Sequence, residues 1–484
     1  MKTYYYLACA LAITLCSCQK TMLLTDEQSA KLKLTDKIAE VPAKETDTLL
    51  PGSPPDPAYQ MMFADYFDSN HINTDSLDWW VPRYKGNDAY IRKNNFNGYN
   101  RISANSVADG KLSISFTRET LPGQPERYIG GGIISTKTFG YGYYEAKVKL
   151  YTGSYGLHQS FWSAAGAIEI DGFEMESKTK NELSRLIANV HRWSPNNAYY
   201  TATGTPTEYT NNPTVPGSLL VVPAPATPTS WAATDGIWCT VGYEWLPDRI
   251  KYYVNGILTN TYLLGTNFNK YQPAVAMLTA LPLKKYTDVD MVPPLPGAAM
   301  MVSYFTYYTK RLDDINLLGN SKFDYISIAG NTNNVTKESK ATAWSESPLQ
   351  GVLSGSTVNF GSSVADSANA YVVKDGTGNW YLEHKNTTGV YSAETSQKLN
   401  FILPGTYNFS AKIRSSGSGA RFIILDKNKN VILNRVIQNA YSYWLTINNE
   451  ITIPSNEVTV LVYSDAQPQG SWLNVDDISF ARKP

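Results

Sequence analysis

Cysteine is nearly absent from this chain. Of its four cysteines, three fall within the first 18 residues, leaving only Cys239 beyond them. No disulfide framework can form among the later residues, so stability must come from hydrophobic cores. At 484 residues there is ample chain for two of them. Net charge is also missing: 42 Lys and Arg balance 42 Asp and Glu. That balance gives no long-range pull toward nucleic acid or anionic lipid, and a neutral, polar partner fits better. Long amphipathic helical patterns are scarce. Past the N-terminal region no apolar run is long enough for a transmembrane helix. What the chain has in quantity is aromatic, with 34 Tyr and 11 Trp set among many Gly, Asn, Thr and Ser. That mixture suits β-sheets carrying ring platforms.

The first 18 residues read as a targeting segment, with Lys2 as the positive region and Tyr4 to Leu15 as an apolar run too short to span a bilayer. The run ends in Leu15-Cys16-Ser17-Cys18, which resembles a bacterial lipobox and makes Cys18 the expected lipidated N-terminus. The expected location is the cell envelope, with membrane attachment by lipid alone, or a secreted form. Residues 19–57 end in the proline-rich run Pro51-Gly-Ser-Pro-Pro-Asp-Pro57 and read as a flexible tether.

From residue 58 to about 330 the pattern is one of short strands separated by turn signals. Lys111-Leu-Ser-Ile-Ser-Phe-Thr, Tyr143-Tyr-Glu-Ala-Lys-Val-Lys-Leu and Arg249-Ile-Lys-Tyr-Tyr-Val alternate polar and apolar, and Asn255-Gly256 is a strong hairpin signal. An all-β sandwich of two antiparallel sheets is expected. Two irregular stretches, 193–234 and 284–297, are long enough to rim a binding face. Residues 331–347 turn polar and read as a linker. Residues 348–484 resume the strand pattern and read as a second, smaller β-sandwich.

One run carries chemistry: Glu169-Ile-Asp-Gly-Phe-Glu174. Strand alternation puts Glu169 and Asp171 on one face and Ile168 and Ile170 on the other. Strict alternation would then bury Glu174, unless a bulge around Gly172-Phe173 returns it, and Glu176 after it, to the acidic face. Carboxylates in a row repel and push at least one pKa upward. Counting four net strand steps, the Cα atoms of Glu169 and Glu174 lie about 13 Å apart. Side chains leaning together bring the carboxyl groups within about 5–6 Å, the spacing of a retaining glycosidase.

With its surroundings this run resembles glycoside hydrolase family 16, the family of laminarinases, lichenases, agarases and porphyranases. The resemblance rests on ordered blocks: Phe139-Gly-Tyr-Gly-Tyr-Tyr-Glu-Ala, Gly156-Leu-His-Gln-Ser-Phe-Trp162, the acid run, Ala188-Asn-Val-His191-Arg-Trp193, Trp238 to Gly256, and Phe323-Asp-Tyr-Ile-Ser-Ile. It implies a concanavalin-like β-jelly-roll, with Glu169 as nucleophile, Glu174 as general acid/base and Asp171 tuning Glu169. Trp162 and Trp193 become candidates to stack on sugar rings, and His191 a candidate to hydrogen-bond the sugar. Trp245 reads as core, and Glu176 as a rim residue or ion-pair partner. Gly130-Gly-Gly-Ile133 lacks the basic residue often found there, and Phe161 to Glu169 lacks the Trp-Pro that often precedes the motif. Both departures count against the laminarinases in particular. The C-terminal part resembles carbohydrate-binding modules of the galactose-binding-like or family 4 type, through Leu403-Pro-Gly-Thr-Tyr-Asn-Phe-Ser-Ala-Lys-Ile and Val475-Asp-Asp-Ile-Ser-Phe. Trp380, Tyr381, Tyr391, Trp444 and Trp472 are its candidate platforms.

The expectation is a monomeric, lipid-anchored, retaining endo-β-glycanase acting on a β-glucan or β-galactan polysaccharide. Two carboxylates suffice for that chemistry, so no cofactor or metal is called for. The alternative is a non-catalytic glycan-binding surface lipoprotein on the same fold.

Overall fold

Short alternating segments become strands almost throughout the computed structural model, which describes residues 52–72, 79–82, 89–90, 98–123, 127–151, 157–165, 168–176, 185–192, 220–221, 238–264, 271–282, 296–319, 321–323, 326–327, 340–341, 370–377, 379–417 and 419–484. Among these the one helical element is a single 3-10 turn, Ile102–Ala104. Cys18, Trp193 and most of the two irregular stretches lie outside the described residues.

The first sandwich has two layers, antiparallel except where Gly98–Asn100 runs parallel to Arg127–Phe139. One sheet of eight strands runs, edge to edge, through Ile257–Leu263, Arg249–Val254, Trp238–Trp245, Gly142–Lys149, Ala299–Thr309, Lys111–Ser115 and Asn105–Ala108, with Gln60–Asp65 also paired to Ala299–Thr309. The facing sheet of ten strands places Ile168–Glu176 between Arg185–Arg192 and Leu157–Ala165, followed by Ala274–Pro282 and Arg127–Phe139. Alternation explains the layering. In Lys111–Ser115, Leu112 and Ile114 are fully buried while the polar residues between them are not. The layers meet through rings: Phe161 lies 5.6 Å from Tyr243 and 5.7 Å from Phe305, and Tyr144 stacks on Tyr243 at 4.6 Å. Trp245 is core, as its pattern implies.

The Asn255-Gly256 pair turns a two-residue hairpin between Val254 and Ile257, with φ of 48° and 75°. Both values lie in the left-handed region that a type I′ turn demands, which is why Asn-Gly serves here.

The outer side of the eight-stranded sheet is covered by the chain that precedes it. The Gly52 N–H donates to Tyr304 Oη at 3.1 Å, the Tyr59 hydroxyl donates to Glu244 at 2.7 Å, and Lys310 bridges Asp56 at 2.9 Å and Glu244 at 3.2 Å. Residues 52–57, which by composition read as the end of the tether, are therefore packed. Their prolines carry no N–H to satisfy, so such a stretch can lie on a sheet through its few polar groups.

The second sandwich packs a five-stranded sheet (Ala370–Lys374, Trp380–Lys385, Trp472–Arg482, Gly405–Ser416, Ala440–Ile453) on a four-stranded one (Tyr391–Asn400, Glu457–Gln467, Ala420–Asp426, Val431–Ile437). Phe409, Phe422, Ile424, Val460, Val475 and Phe480 form its core, and Leu318 and Phe323 belong to that same core. Phe323, which the sequence reads as part of the close of the first domain, is thus buried in the second sandwich.

Residues Thr48–Pro484 make one compact unit, and Phe401 joins the two sandwiches. Its ring stacks on Phe139 at 5.0 Å, packs 5.7 Å from Phe63 and 5.9 Å from Tyr307, and lies under the Lys137 ammonium. Asn400 adds a hydrogen bond to Thr138 at 3.3 Å.

Candidate active site

The bulge is where the acid run requires it. Phe161 pairs with Phe173 and Trp162 pairs with Asp171, leaving Gly172 with no partner on the Leu157–Ala165 strand. On the other side Asp171 pairs with Asn189 and Glu174 with Ile187, again one residue in excess. Burial reports the outcome: Ile168, Ile170, Phe173 and Met175 are 3 % exposed or less and face the core. Glu169, Asp171 and Glu174 take the other face.

Space at the bulge is tight for anything larger than glycine. A Cβ on Gly172 would meet Phe161 Cδ1 and Tyr243 Cδ1 at 3.0 Å and the Phe161 carbonyl at 3.2 Å. The two rings that join the layers thus press against the backbone directly beneath the acids.

Register fixes the spacing. Glu169 lies opposite Ala164 and Glu174 opposite Ser160, so five residues of the acid strand advance only four steps. That is about 13 Å between Cα atoms, the separation from which inward-leaning carboxyl groups reach about 5–6 Å.

Glu174 is gripped from both neighbouring strands. His158 Nε2 lies 2.9 Å from its Oε1, and Asn189 Nδ2 donates to its Oε2 at 2.9 Å. Its side chain remains 23 % exposed, open enough to meet a substrate. Asp171 is 2 % exposed and lies between the two glutamates. Its charge adds to the burial that holds the Tyr243 and Tyr252 hydroxyls far above their ordinary range, so both stay neutral donors at any working pH. Tyr252 donates to the Asn189 carbonyl at 2.6 Å, fixing the strand that supplies Asn189, and Tyr243 is hydrogen-bonded to Ser163.

Trp162 stands opposite Asp171, half-buried on the acidic face, and its indole N–H donates to Thr279 Oγ1 at 3.3 Å. Thr279 also pairs with Ser160 Oγ at 2.6 Å. On the neighbouring Arg127–Phe139 strand the surface is bare at Gly132, where a Cβ would run into Thr279 Cγ2 at 2.8 Å. His191 lies opposite Glu169 in register. Its side chain, that of Glu176 and all of Trp193 fall outside the described residues.

The structure therefore brings Glu169, Asp171, Glu174 and Trp162 to one face of one sheet. Two residues of the arrangement, His158 and Asn189, carry no role in the sequence reading. The signal for His158 was present: it stands four residues before Trp162 in one strand and so shares its face.

Residues 92–283 match the model of the Glycosyl hydrolases family 16. Over that segment the chain is similar to a glycoside hydrolase family, and the Ala299–Thr309 strand of the same sandwich lies beyond the matched residues. No curated protein matches the chain. Among solved structures it is similar to SCLam, a non-specific endo-β-1,3(4)-glucanase from the same family, at 19 % identity over 53 % of this chain and 93 % of that one, with a TM-score of 0.39. It is also similar to porphyranase B from Zobellia galactanivorans, at 15 % identity over 54 % and 97 % with a TM-score of 0.38. A third is the laminarinase catalytic domain from Thermotoga maritima MSB8, at 17 % over 52 % and 99 % with a TM-score of 0.35.

Proposed function

We propose that the protein is a retaining endo-β-glycanase cleaving a β-glucan or β-galactan polysaccharide, held at the cell envelope by a lipid on Cys18. Glu169 attacks the anomeric carbon while Glu174 protonates the departing oxygen. Glu174 then takes a proton from water, which releases the sugar from Glu169. Asp171 tunes Glu169. Trp162 offers a ring to a sugar face, and the second sandwich serves as a glycan-binding module that raises local substrate concentration.

The observation that carries this reading is the bulge at Gly172, which sets three acids on one face with four steps between the outer two. Once the Glu169 charge is consumed in the covalent intermediate, the field opposing ionisation of Glu174 is gone, and the acid of the first step becomes the base of the second.

The test is Glu169→Gln and Glu174→Gln, with reducing-end release measured on laminarin, lichenan, agarose, porphyran, carrageenan, xyloglucan and mucin O-glycans. Each substitution is expected to lower release from the responsive glycan by ~10³-fold or more. Release unchanged in both variants would sink the mechanism. Proton NMR of the first product should show the anomer of the substrate, and the opposite anomer would refute retention.

A further inference from the structure

We infer that His158 is a positioning residue for Glu174, donating from Nε2 to the Oε1 oxygen so that the proton Glu174 exchanges points away from the sheet and toward the substrate. This rests on the reading of Glu174 as the acid/base.

The contact is specific: Nε2 to Oε1 is 2.9 Å, with side-chain exposures of 12 % and 23 %. The opposite ring nitrogen decides the tautomer. Nδ1 is buried with no hydrogen-bond partner among the described residues. A buried lone pair left unused costs less than a buried N–H left unused, so the proton of the neutral ring belongs on Nε2. His158 then donates, and it cannot accept a proton from Glu174 without stranding an N–H at Nδ1.

Asn189 makes the arrangement two-sided, donating to Oε2 at 2.9 Å. Each carboxyl oxygen therefore has one lone pair occupied by a donor from a flanking strand. The proton that Glu174 gives and takes must sit on a remaining lone pair. The imidazole keeps its own proton throughout, so its role is to aim the carboxyl group.

The surroundings make the pair electrostatically one-sided. On its own strand His158 shares a face with Ser160 and Trp162. The acid strand presents Glu174 and, further along, Asp171 and Glu169, and Glu176 lies opposite His158 in register. Arg185–Arg192 contributes Asn189 and, opposite Glu169, His191. Ala274–Pro282 offers only Leu281 and Thr279, opposite His158 and Ser160, with no titratable group. A donor on the carboxylate favours its ionised form, so removing His158 raises the Glu174 pKa.

The test has an arm that needs no substrate. The chain has only four histidines, so ¹⁵N-histidine labelling gives a resolvable imidazole spectrum. In the intact protein His158 should show the Nε2–H tautomer, and Glu174→Gln should displace its Nε2–H signal through loss of the charged acceptor. An Nε2–H signal of His158 identical in both proteins overturns the proposal. In the kinetic arm, His158→Leu should move the alkaline limb of kcat/KM upward by roughly one unit. It should also lower kcat ~10–100-fold with KM little changed. His158→Gln, which keeps a donor at the Nε2 position, should restore most of the kcat. An unmoved limb in His158→Leu overturns it. A Glu174→Gln variant that changes the His158 spectrum yet hydrolyses glycan normally removes the acid/base reading itself, and so separates the two failures.

Discussion

Gly172 does two things at once. It is the extra residue that turns Glu174 outward, and it lets Phe161 and Tyr243 close against the backbone below. The sequence points to a bulge around Gly172-Phe173, because an Ile-x-Ile pattern followed by Phe-x-Met loses phase unless one residue is skipped. What it could not supply is the grip on Glu174. That comes from His158 and Asn189, 16 and 15 positions away, and depends on a register no local pattern encodes. The bulge makes a direct prediction. Gly172→Val must push two buried rings and a carbonyl aside, which should cost about 1–3 kcal/mol in urea unfolding. Because the displaced backbone carries the acids, hydrolysis should fall well beyond what lost stability explains when both are measured at a temperature where the variant stays folded. A variant that is destabilised yet fully active would separate the bulge from the catalytic geometry.

At the scale of elements, alternation reads well and docking reads poorly. The strands at Lys111, Gly142 and Arg249, and the Asn255-Gly256 turn, follow from local chemistry. The packed segment 52–59 does not, because its composition is that of a tether and its partners, Tyr304, Glu244 and Lys310, lie about 185 to 254 residues away. Glu244 is the anchor. Burial pushes its pKa up, but hydrogen bonds from Lys251, Tyr59 and Lys310 outweigh this and hold it below the ordinary glutamate value. Its folded pKa is depressed, so the stability it contributes is present above the ordinary glutamate range and is lost as pH falls through the folded value. Lys310→Met removes one of the two ammonium partners of a carboxylate that is 2 % exposed. The expected loss is about 1–3 kcal/mol at neutral pH, less than for a fully enclosed pair because Lys310 retains some exposure. The loss should shrink as pH drops toward the folded Glu244 pKa. Limited proteolysis should find the 52–59 segment cut faster in this variant, and an unchanged cutting rate would mean that Lys310 does not hold it.

For the whole molecule, the question is whether two sandwiches behave as one. The two-sandwich plan is legible in the chain, but their junction is not, because Phe401 looks like any other core phenylalanine at the end of a strand. In the structure it adopts φ of 59°, a left-handed value unfavourable for a side chain of its size, and it fills a ring cluster of the first sandwich. His384 supplies a lever confined to the second sandwich. Its ring is enclosed between Ser464 and Thr395 hydroxyls, each at 3.0 Å, and burial pushes its pKa down to about 3. In the unfolded chain the same imidazole titrates near ~6.5. The unfolded state therefore binds a proton that the folded state refuses, and stability falls as pH drops from about 6.5 toward 3. Through His384, acid thus loosens the second sandwich. If Phe401 couples the two, the wild type should melt in one transition that moves down together as pH falls. Phe401→Ala removes a large buried ring at a cost of about 3 kcal/mol. In that variant calorimetry at pH 4.5 should resolve two transitions, the lower belonging to the second sandwich. Adding His384→Gln, which can still meet both hydroxyls but does not titrate, should return the lower transition toward its neutral-pH position. A single transition in Phe401→Ala at every pH would show that contacts other than this ring bind the sandwiches together.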